Sequence, residues 1–330
     1  MASAEFGTVF FDEITLANFD GEKWSDTRFG PSDHLPLHPA SHVLHYASTC
    51  FEGMKAFRAA DGAVCVFRID DHIKRMQNSA ASLYLPVPDA VQLKAMILDL
   101  LKKYKAQVPA FPGSAYIRPT LIGTDPSIGR AAAPTSTALL YVLISPVGDY
   151  FSADATMRVL LDTENQRCAP HFGNVKSGGN YASALGLIQK AKEKYNTAQV
   201  IFAPNGDVQE TGAANCILIS DTELLTKPLN SEFLPGITRD SLLKVAAKLG
   251  YQVTERNISA TELVEWIKTG EVALSGTAAV LAPVGEIVYQ DQTHTVNQGK
   301  DAVNSKRLRK YLNDIQQGIE EDTFNWITKI

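Results

Sequence analysis

The sequence predicts an α+β fold that is divided into two domains. Its 330 residues correspond to about two domains, at roughly 150 residues each. Apolar residues make up 45% and charged residues 20% of the chain, which is typical of a globular protein and not of a disordered or fibrous one. Segments with the patterns of strands and helices are mixed along the chain, neither in strict βαβ order nor as strands alone. This irregular mixture favours the α+β class.

The first half of the chain contains three predicted strands and two predicted helices. Residues 64–69 are mostly β-branched or aromatic and predict a strand, as do residues 115–122 and 137–145. The first helix opens at Asp70-Asp71, and its apolar residues follow at helical spacing: Ile73, Met76, Ala80 and Leu83. Asp89 is positioned to cap the second helix, whose apolar face is formed by Leu93, Met96, Leu100 and Tyr104.

The second half resumes after a break in the apolar pattern at Ser145-Pro-Val-Gly-Asp-Tyr150, which we interpret as a domain junction. Strands are predicted over residues 158–161, 199–203, 214–220, 271–275 and 280–288, with a turn at Asn205-Gly206. Helices are predicted over residues 182–194 and 238–249. Gly250 is a natural terminator of the latter helix, and Ser259-Ala-Thr-Glu262 fits a capping box ahead of another helix.

Charge, hydropathy and cysteine spacing argue against several classes of function. The net charge of −5, with no basic block, argues against binding to a phosphate backbone. A membrane span needs roughly 20 apolar residues in a row, and the sequence has no run near that length. The first residues have neither a basic start nor an apolar stretch, so we do not expect them to form a secretion signal. The four cysteines, at 50, 65, 168 and 216, have no metal or redox spacing. We interpret them as reduced thiols, which suits the cytoplasm.

A lysine among glycines is the most informative feature of the sequence. Lys176 lies in Gly173-Asn-Val-Lys-Ser-Gly-Gly-Asn-Tyr181, just before a predicted helix. A lysine in a flexible surface loop would give the same pattern. The more specific hypothesis is a Schiff-base lysine, which needs room to move and works best where burial and nearby cations favour its neutral form. The sequence around Lys176 does not match a phosphate-binding loop of nucleotide hydrolases.

Three further segments could serve a phosphorylated pyridine cofactor. Glu210 follows the Asn205-Gly206 turn; it is either a solvated charge or the partner of a pyridine nitrogen. Thr238 opens a helix after Leu234-Pro-Gly-Ile, so it either caps that helix or helps to seat a phosphate at its N-terminus. Thr277, in Ser275-Gly-Thr-Ala-Ala279, adds a hydroxyl and backbone N–H groups that suit a phosphate or a carboxylate.

Histidines are concentrated near the N-terminus but do not predict a metal site. Four of the seven fall at positions 34, 38, 42 and 45. Pro36 and Pro39 interrupt any helix that would align them, and no cysteine lies at ligand spacing. We therefore expect no metal. The motifs of serine hydrolases and of dinucleotide-binding proteins are absent from the sequence.

Short blocks along nearly the whole chain resemble one enzyme family. Besides the segments around Lys176, Glu210, Thr238 and Thr277, the resemblance rests on Phe6-Gly-Thr-Val-Phe10, Leu44-His-Tyr46, Phe51-Glu-Gly-Met-Lys-Ala-Phe57, Arg75-Met76, Tyr116-Ile-Arg-Pro119 and Ser145–Tyr150. In this order and spacing the blocks resemble the branched-chain amino-acid aminotransferases, class-IV aminotransferases of pyridoxal-phosphate fold type IV. The resemblance implies a cofactor in the cleft between a smaller N-terminal domain (1–148) and a larger C-terminal, cofactor-binding domain with the Schiff-base lysine (157–330), joined by a linker (149–156).

The resemblance also implies the roles of individual residues. Lys176 is expected to form the Schiff base with pyridoxal 5'-phosphate and to move the proton at the substrate's Cα. Glu210 is expected to pair with the pyridine nitrogen and Tyr181 with the phenolic oxygen. The expected phosphate ligands are Arg75, Ile237, Thr238 and Thr277. The expected substrate contacts are Phe6, Tyr46, Phe51, Tyr116, Arg118, Tyr150 and Ala278. Ala213 and Ala214 stand where many relatives have bulkier residues, so the size of the pocket is expected to differ.

The implied reaction is a ping-pong transamination between L-leucine, L-isoleucine or L-valine and 2-oxoglutarate, which gives branched-chain 2-oxo acids and L-glutamate. The resemblance further implies a homodimer, with no nucleic-acid or membrane partner. Two alternatives remain open from the sequence. One is a related transaminase with a D-amino acid or an (R)-amine as donor, and the other is a cofactor-binding regulator without catalysis.

Overall fold

The computed structural model describes residues 6–148 and 155–330. The strands are β1 (Glu13–Phe19), β2 (Arg28–Pro31), β3 (Thr49–Phe51), β4 (Met54–Arg58), β5 (Val64–Phe67), β6 (Ser114–Gly123), β7 (Ala138–Val147), β8 (Met157–Asp162), β9 (Gln199–Phe202), β10 (Asn215–Ile219), β11 (Glu223–Thr226), β12 (Gln252–Glu255), β13 (Glu271–Gly276), β14 (Val280–Tyr289), β15 (Gln292–Thr295) and β16 (Ile327–Lys329). The helices are α1 (His42–Tyr46), α2 (Ile69–Ser82), α3 (Ala90–Lys103), α4 (Gly178–Tyr195), α5 (Ile237–Lys248), α6 (Ala260–Trp266) and α7 (Val303–Gln316).

The chain divides into two compact units. The first unit comprises Met1–Tyr150, Val175–Gly178 and Ile315–Ile330, and the second comprises Phe151–Asn174 and Gly179–Asp314. This division assigns two segments differently from the boundaries expected from the sequence. The lysine segment belongs to the first unit because Phe51 and Ser79 hold its backbone, and the C-terminal residues belong there because β16 pairs with β5. The boundaries expected from the sequence (1–148, 149–156 and 157–330) remain a prediction, because a division by contacts within one chain does not test them.

The first unit is built on an antiparallel sheet in the order β16-β5-β4-β6-β7-β1-β2, with β3 also paired to β6. Helices α2 and α3 cover one face, where Ile73, Met76 and Met96 join the buried core with sheet residues such as Ile117 and Leu140. At roughly 1.5–3 kcal/mol for each large apolar side chain removed from water, this core is the main source of the unit's stability. A smaller cluster of Ile14, Leu16, Ile122 and Leu139 forms on sheet residues of alternate orientation.

The second unit contains a mixed sheet in the order β12-β11-β10-β13-β14-β8-β9, with β15 on β14. The pairs β8/β9, β8/β14 and β11/β12 are parallel, and the other pairs are antiparallel. Helix α6 contributes Leu263 to a core cluster with Leu218 and Val272. Helix α4 packs Ala184 and Ala191 on Val200 and Phe202. This mixture of parallel and antiparallel pairs, together with the antiparallel sheet of the first unit, confirms the predicted α+β class.

Most of the predicted elements are present, and the differences lie at their ends. The strand expected to run to residue 69 ends at Phe67, because Arg68 adopts a left-handed backbone conformation (φ 53°) and Ile69 already begins α2. Asp89 and Ser259 cap their helices as predicted, since their side chains accept the N–H groups of Gln92 and Glu262. Gly250, at φ +89°, follows the end of α5. All four cysteines are buried and unpaired by disulfides.

None of the helices within residues 6–148 and 155–330 combines the length and the apolar character that crossing a bilayer requires.

Candidate active site

Lys176 is anchored by its backbone in the first unit. Its N–H donates to Ser79 Oγ at 3.0 Å, and its carbonyl accepts the N–H of Phe51 at 3.1 Å. Its Nζ lies 5.2 Å from the centroid of the Phe51 ring. The chain around the lysine is therefore fixed from two sides, while the side chain itself is only partly buried.

Arg75 lies one helical turn before Ser79 on α2 and is paired with Glu52. Its Nε donates to Glu52 Oε1 at 2.6 Å and its Nη2 donates to Glu52 Oε2 at 2.8 Å. The same Oε2 atom lies 2.7 Å from Nδ1 of His72 and accepts the N–H of Gly53 at 3.1 Å. Because a carboxylate only accepts, Nδ1 of His72 carries the proton in this contact. A network of four residues thus holds the Arg75 guanidinium.

The protonation states in this network follow from burial and charge. Burial would raise the pKa of the Glu52 carboxyl, but the charge and hydrogen bonds of Arg75 and His72 outweigh it and hold that pKa well below its ordinary value. Burial lowers the pKa of His72; the Glu52 carboxylate acts in the opposite sense without reversing the shift, and the charges of Arg75 and Lys176 add to the lowering. Glu52 is therefore ionised and His72 is neutral near pH 7.

Arg118 and aromatic side chains line a cavity of about 290 Å³ in the first unit. Arg118 Nη2 donates to the Tyr116 hydroxyl at 2.9 Å, and its guanidinium lies 4.4 Å from the centroid of the Phe51 ring. Phe6 contacts Tyr116 edge-on, with ring centroids 5.0 Å apart. Arg118 Nε is buried and has no hydrogen-bond partner within the described part of the chain. The cavity thus combines apolar walls with one cationic donor.

Phe6, Tyr116 and Arg118 are the predicted substrate residues that line this cavity. Tyr46, Phe51 and Ala278 are not among its lining residues. Tyr46 contacts a different set of residues, because its hydroxyl donates to the carbonyl of Ile128 and its ring packs on His42 at 4.8 Å. Tyr150 lies outside the described residues.

Glu210 is the centre of a buried polar cluster in the second unit. Its Oε1 atom lies 2.8 Å from Arg167 Nη2 and accepts the N–H of Leu234 at 3.0 Å. Its Oε2 atom accepts Asn215 Nδ2 at 3.0 Å. Arg167 also donates to the carbonyl of Gly173 at 2.7 Å. These donors orient the carboxylate and favour its ionised form.

The N-terminus of α5 is packed against the same cluster. Gly236 is the N-cap residue, and no side chain caps the helix there. A Cβ atom on Gly236 would lie 2.0 Å from Asn215 Oδ1, so only glycine fits this close approach. Asn215 also donates to the carbonyl of Leu234 at 2.9 Å. The cluster therefore brings Glu210 close to the helix start that carries Ile237 and Thr238.

Strand pairing places the turn with Thr277 and Ala278 next to this cluster. Asn215 of β10 is opposite Ser275 of β13, so the turn at residues 277–279 follows within two residues of that pair. The buried Ser275 Oγ has no hydrogen-bond partner among the described residues. Tyr181 lies in the first turn of α4, a helix that packs against Gly212 through Ala184 and Ile188. The second unit thus groups Glu210, the predicted partner of a ring nitrogen, with three of the four predicted phosphate ligands, whereas Arg75 belongs to the first unit.

The histidines near the N-terminus have ordinary partners. The two ring nitrogens of His42 contact Ser48 Oγ and the carbonyl of Arg130, at 2.9 and 3.3 Å. His45 contacts the carbonyl of Pro39, and His38 accepts the N–H of Ala40. Within the described ranges, no group of His, Cys, Asp or Glu side chains is arranged to hold a metal ion.

Four residues of these clusters were not singled out from the sequence: Glu52, His72, Arg167 and Asn215. Two of them carry a recognisable signal. Glu52 lies in residues 51–57, one of the segments on which the resemblance rests. His72 precedes Arg75 by three positions, the spacing of neighbours on a helix surface. Arg167 and Asn215 show no comparable signal, since their roles depend on contacts that only the folded unit creates.

Comparisons with known proteins identify the family. The model of the family described as amino-transferase class IV matches residues 49–287. Branched-chain-amino-acid aminotransferase 2 of Bacillus subtilis (strain 168) is 35% identical, over 98% of this chain and 92% of that protein. The solved structure of the branched-chain amino acid aminotransferase from Escherichia coli aligns with a TM-score of 0.77 at 27% identity, covering 96% of this chain and 98% of the other. The holo-form of the branched-chain amino acid aminotransferase from Thermobaculum terrenum, with PLP, shares the fold at a TM-score of 0.78 and 20% identity, covering 96% and 97%.

The chain therefore belongs to the class IV aminotransferase family, and within it to the branched-chain-amino-acid aminotransferases.

Proposed function

We propose that this pyridoxal-phosphate-dependent aminotransferase transfers the amino group of L-leucine, L-isoleucine or L-valine to 2-oxoglutarate in two half-reactions. The products are the branched-chain 2-oxo acids and L-glutamate. The observation that carries the proposal is the cavity that Phe6, Tyr116 and Arg118 line, which combines apolar walls with a guanidinium group. Such a cavity suits both an aliphatic side chain and a side chain that ends in a carboxylate.

The residues present fit the chemical demands of pyridoxal phosphate. Its aldehyde needs an amine, its phosphate needs cations and N–H donors, and its pyridinium nitrogen needs an anionic acceptor. In the first unit, Lys176 is the amine and Arg75 is a cation that suits a phosphate. In the second unit, the start of α5 suits a phosphate, and Glu210 is a buried carboxylate that three donors orient. We assign Thr277 to the phosphate and Tyr181 to the phenolic oxygen on the resemblance alone.

Lys176 is the residue to which we assign the proton transfer. When bound, the cofactor supplies an electron-withdrawing ring that accepts the electron pair left behind when the substrate's Cα loses its proton. The Lys176 amine takes that proton as a general base and returns it as a general acid later in the same half-reaction. The anchoring of its backbone by Ser79 and Phe51 limits the motion of the lysine to its side chain. This restriction keeps the amine close to the atoms between which the proton moves.

Glu210 supports this transfer from the pyridine side. Since its carboxylate accepts from Arg167, Asn215 and Leu234, it stays ionised and can hold a proton on the ring nitrogen. A protonated ring withdraws electrons more strongly than a neutral one, so Glu210 lowers the barrier to the removal of the Cα proton.

The cavity of the first unit supports the choice of substrates. Aromatic side chains surround an aliphatic chain without demanding hydrogen bonds, and each methylene contributes only ~1–3 kcal/mol to discrimination, which suits three branched substrates of similar size. Arg118 supplies the donor for the second carboxylate of 2-oxoglutarate. We assign Tyr46, Phe51 and Tyr150 to substrate contacts, and Ala278 to the substrate's α-carboxylate, on the resemblance alone.

The test is a titration of the purified holoenzyme followed by visible absorbance. L-Leucine without any 2-oxo acid is expected to bleach the band of the bound cofactor, and 2-oxoglutarate is expected to restore it. Lys176→Ala is expected to abolish the change, whereas Lys190→Ala, which alters an exposed lysine of α4, is expected to leave it intact. A band that L-leucine leaves unchanged but D-alanine or (R)-1-phenylethylamine bleaches would favour the related donor classes. A band that no donor changes would favour the non-catalytic regulator.

We further propose a homodimer on the resemblance, and a cytoplasmic location because the four cysteines form no disulfide. Light scattering is expected to give about twice the 35.9 kDa of one chain. A particle of the mass of a single chain at working concentration would contradict the dimer.

A further inference from the structure

Glu52 is a fully buried carboxylate to which the proposed reaction assigns no step. Its relative exposure is 0%, and its two oxygens accept from Arg75 Nε, Arg75 Nη2, the His72 ring and the N–H of Gly53. The backbone N–H of Glu52 itself donates to the carbonyl of Pro119 at 2.9 Å. Both ends of this residue are therefore fixed, and so is the plane of its carboxylate.

This carboxylate determines how the Arg75 guanidinium is oriented. A guanidinium has five N–H donors in one rigid plane. The two-point pairing with Glu52 uses one donor on Nε and one on Nη2, and it sets the direction of the other three. An arginine without such a pairing samples many rotamers. Binding of the phosphate would then have to order the side chain, and the lost conformational entropy would weaken the binding.

The helix that carries Arg75 also connects it to the lysine. His72, Arg75 and Ser79 lie on one face of α2 at spacings of three and four residues. His72 contacts Glu52, and Ser79 accepts the N–H of Lys176. Glu52 itself is adjacent to Phe51, whose N–H donates to the carbonyl of Lys176. The orientation of Arg75 is thus coupled to the position of the lysine through a short ring of contacts.

We infer that Glu52 is a positioning residue for cofactor binding: it holds the Arg75 guanidinium in the orientation that receives the cofactor phosphate, and His72 holds Glu52 in turn. This inference rests on the proposed role of Arg75. A gain in folding stability is a poor explanation for the Glu52–Arg75 pair, because a buried ion pair contributes little net stability compared with apolar residues of similar size. Orientation of Arg75 is the role that remains.

The experiment compares the affinities of the full-length apoenzyme for pyridoxal phosphate and for pyridoxal, which lacks the phosphate. The dissociation constant of pyridoxal divided by that of pyridoxal phosphate isolates the contribution of the phosphate, and this quotient is the ratio that the variants are compared by. Arg75→Ala is expected to reduce the ratio by about 100-fold, and Glu52→Gln by roughly 10-fold, because charge-assisted hydrogen bonds are lost or misdirected. The affinity for pyridoxal is expected to change less than about threefold in both variants.

Glu271→Gln is the matched control. Glu271 is also a buried carboxylate, and it accepts from the N–H of Asn304 and from the N–H and hydroxyl of Ser305. Both Glu→Gln variants are expected to lower the unfolding midpoint of the apoenzyme, whereas only Glu52→Gln is expected to lower the ratio. Should Glu52→Gln fail to fold, His72→Leu, which removes the donor to Glu52, is expected to lower the ratio about threefold, and His72→Asn, which keeps a donor, to preserve it.

The outcomes distinguish the inference from the proposed function. A lower ratio in both Arg75→Ala and Glu52→Gln supports the inference. A lower ratio in Arg75→Ala alone overturns the role of Glu52 and leaves the role of Arg75 standing. An unchanged ratio in Arg75→Ala overturns both roles. Equal losses of affinity for pyridoxal phosphate and pyridoxal in Glu52→Gln overturn the inference as well, since they indicate a general structural defect.

Discussion

Gly53 provides the space that the Tyr116 hydroxyl occupies, and Gly53→Ala tests the proposed pocket from outside it. A Cβ atom at this position would lie 2.0 Å from Tyr116 Oη and 2.8 Å from Cζ. Cβ atoms in proteins essentially never approach another heavy atom within 3.0 Å, so the ring or the loop must move by at least about 1 Å.

The magnitude follows from what the hydroxyl contacts. Tyr116 Oη accepts Arg118 Nη2 at 2.9 Å, and a displaced ring breaks this bond or tilts the guanidinium. A hydrogen bond to a charged group is worth ~1.5–3 kcal/mol, which corresponds to roughly 10- to 100-fold in rate. A misplacement of a positioning group by about 1 Å also costs about 100-fold. We expect kcat/KM for 2-oxoglutarate to fall about 10- to 100-fold, and that for L-leucine by less than about tenfold, because an aliphatic chain makes no hydrogen bond to Arg118.

Single-turnover absorbance measurements on each half-reaction provide the assay. Gly186→Ala is the control, since a Cβ atom there has no heavy atom within 4 Å. Cofactor content and far-UV circular dichroism establish that each variant is folded and loaded. Equal losses for the two substrates, or no loss for either, would refute the proposed division of labour between the aromatic walls and Arg118.

The remaining predictions concern stability. Gly186→Ala is expected to raise the free energy of unfolding by about 0.5–1 kcal/mol, because Gly186 is exposed on α4 and glycine is a poor helix former; thermal unfolding without an upward shift would contradict this. Asp89→Ala is expected to lower the free energy of unfolding by about 1 kcal/mol, because the N–H of Gln92 loses the side chain that caps α3. Urea unfolding without a lower midpoint would argue against the role of this cap. Because the pKa of His72 is lowered in the folded state, the protein is expected to lose stability as the pH falls below about 6.5, where the unfolded state binds a proton that the folded state does not. His72→Asn is expected to flatten this dependence, by at most about 1.4 kcal/mol per pH unit, and identical slopes for both proteins in denaturant titrations at several pH values would exclude the effect.

The parts of the fold that could be predicted are those controlled by nearby residues. Asp89 and Ser259 cap helices through bonds to residues three positions on, and Gly250 ends α5 through its own backbone freedom. Strand β16 depends on a different kind of interaction, because its pairing with β5 joins Ile327 to Phe67 across most of the chain. A short three-residue strand has no periodicity to detect, and the free energy that makes it a strand comes from the partner's hydrogen bonds.

The same division applies to the candidate site. Residue type and local context made Lys176 and Glu210 candidates beside the ordinary interpretations of a surface lysine and a solvated charge. The resemblance to the family supplied Arg75 and the role of each residue. The residues that orient these groups were not predicted. Asn215 reaches Glu210 only because the chain folds back on itself between Glu210 and β10, and Glu52 meets Arg75 only when the end of β3 is brought against α2. Orientation is thus a property of tertiary contacts, while chemical type is a property of the sequence.

Under the proposed function, one pocket serves two kinds of side chain, and the surroundings of Arg118 are consistent with that double use. A guanidinium facing an aliphatic substrate has no carboxylate partner, and burying an unpaired charge is ordinarily costly. Here the Phe51 ring lies 4.4 Å from the guanidinium and the Tyr116 hydroxyl accepts from it. A cation–π contact of ~0.5–2 kcal/mol and one neutral hydrogen-bond acceptor offset part of that cost while the pocket holds leucine. They are also weaker than the bonds that a carboxylate forms, so under the proposed function the Arg118 guanidinium remains able to bind the second carboxylate of 2-oxoglutarate.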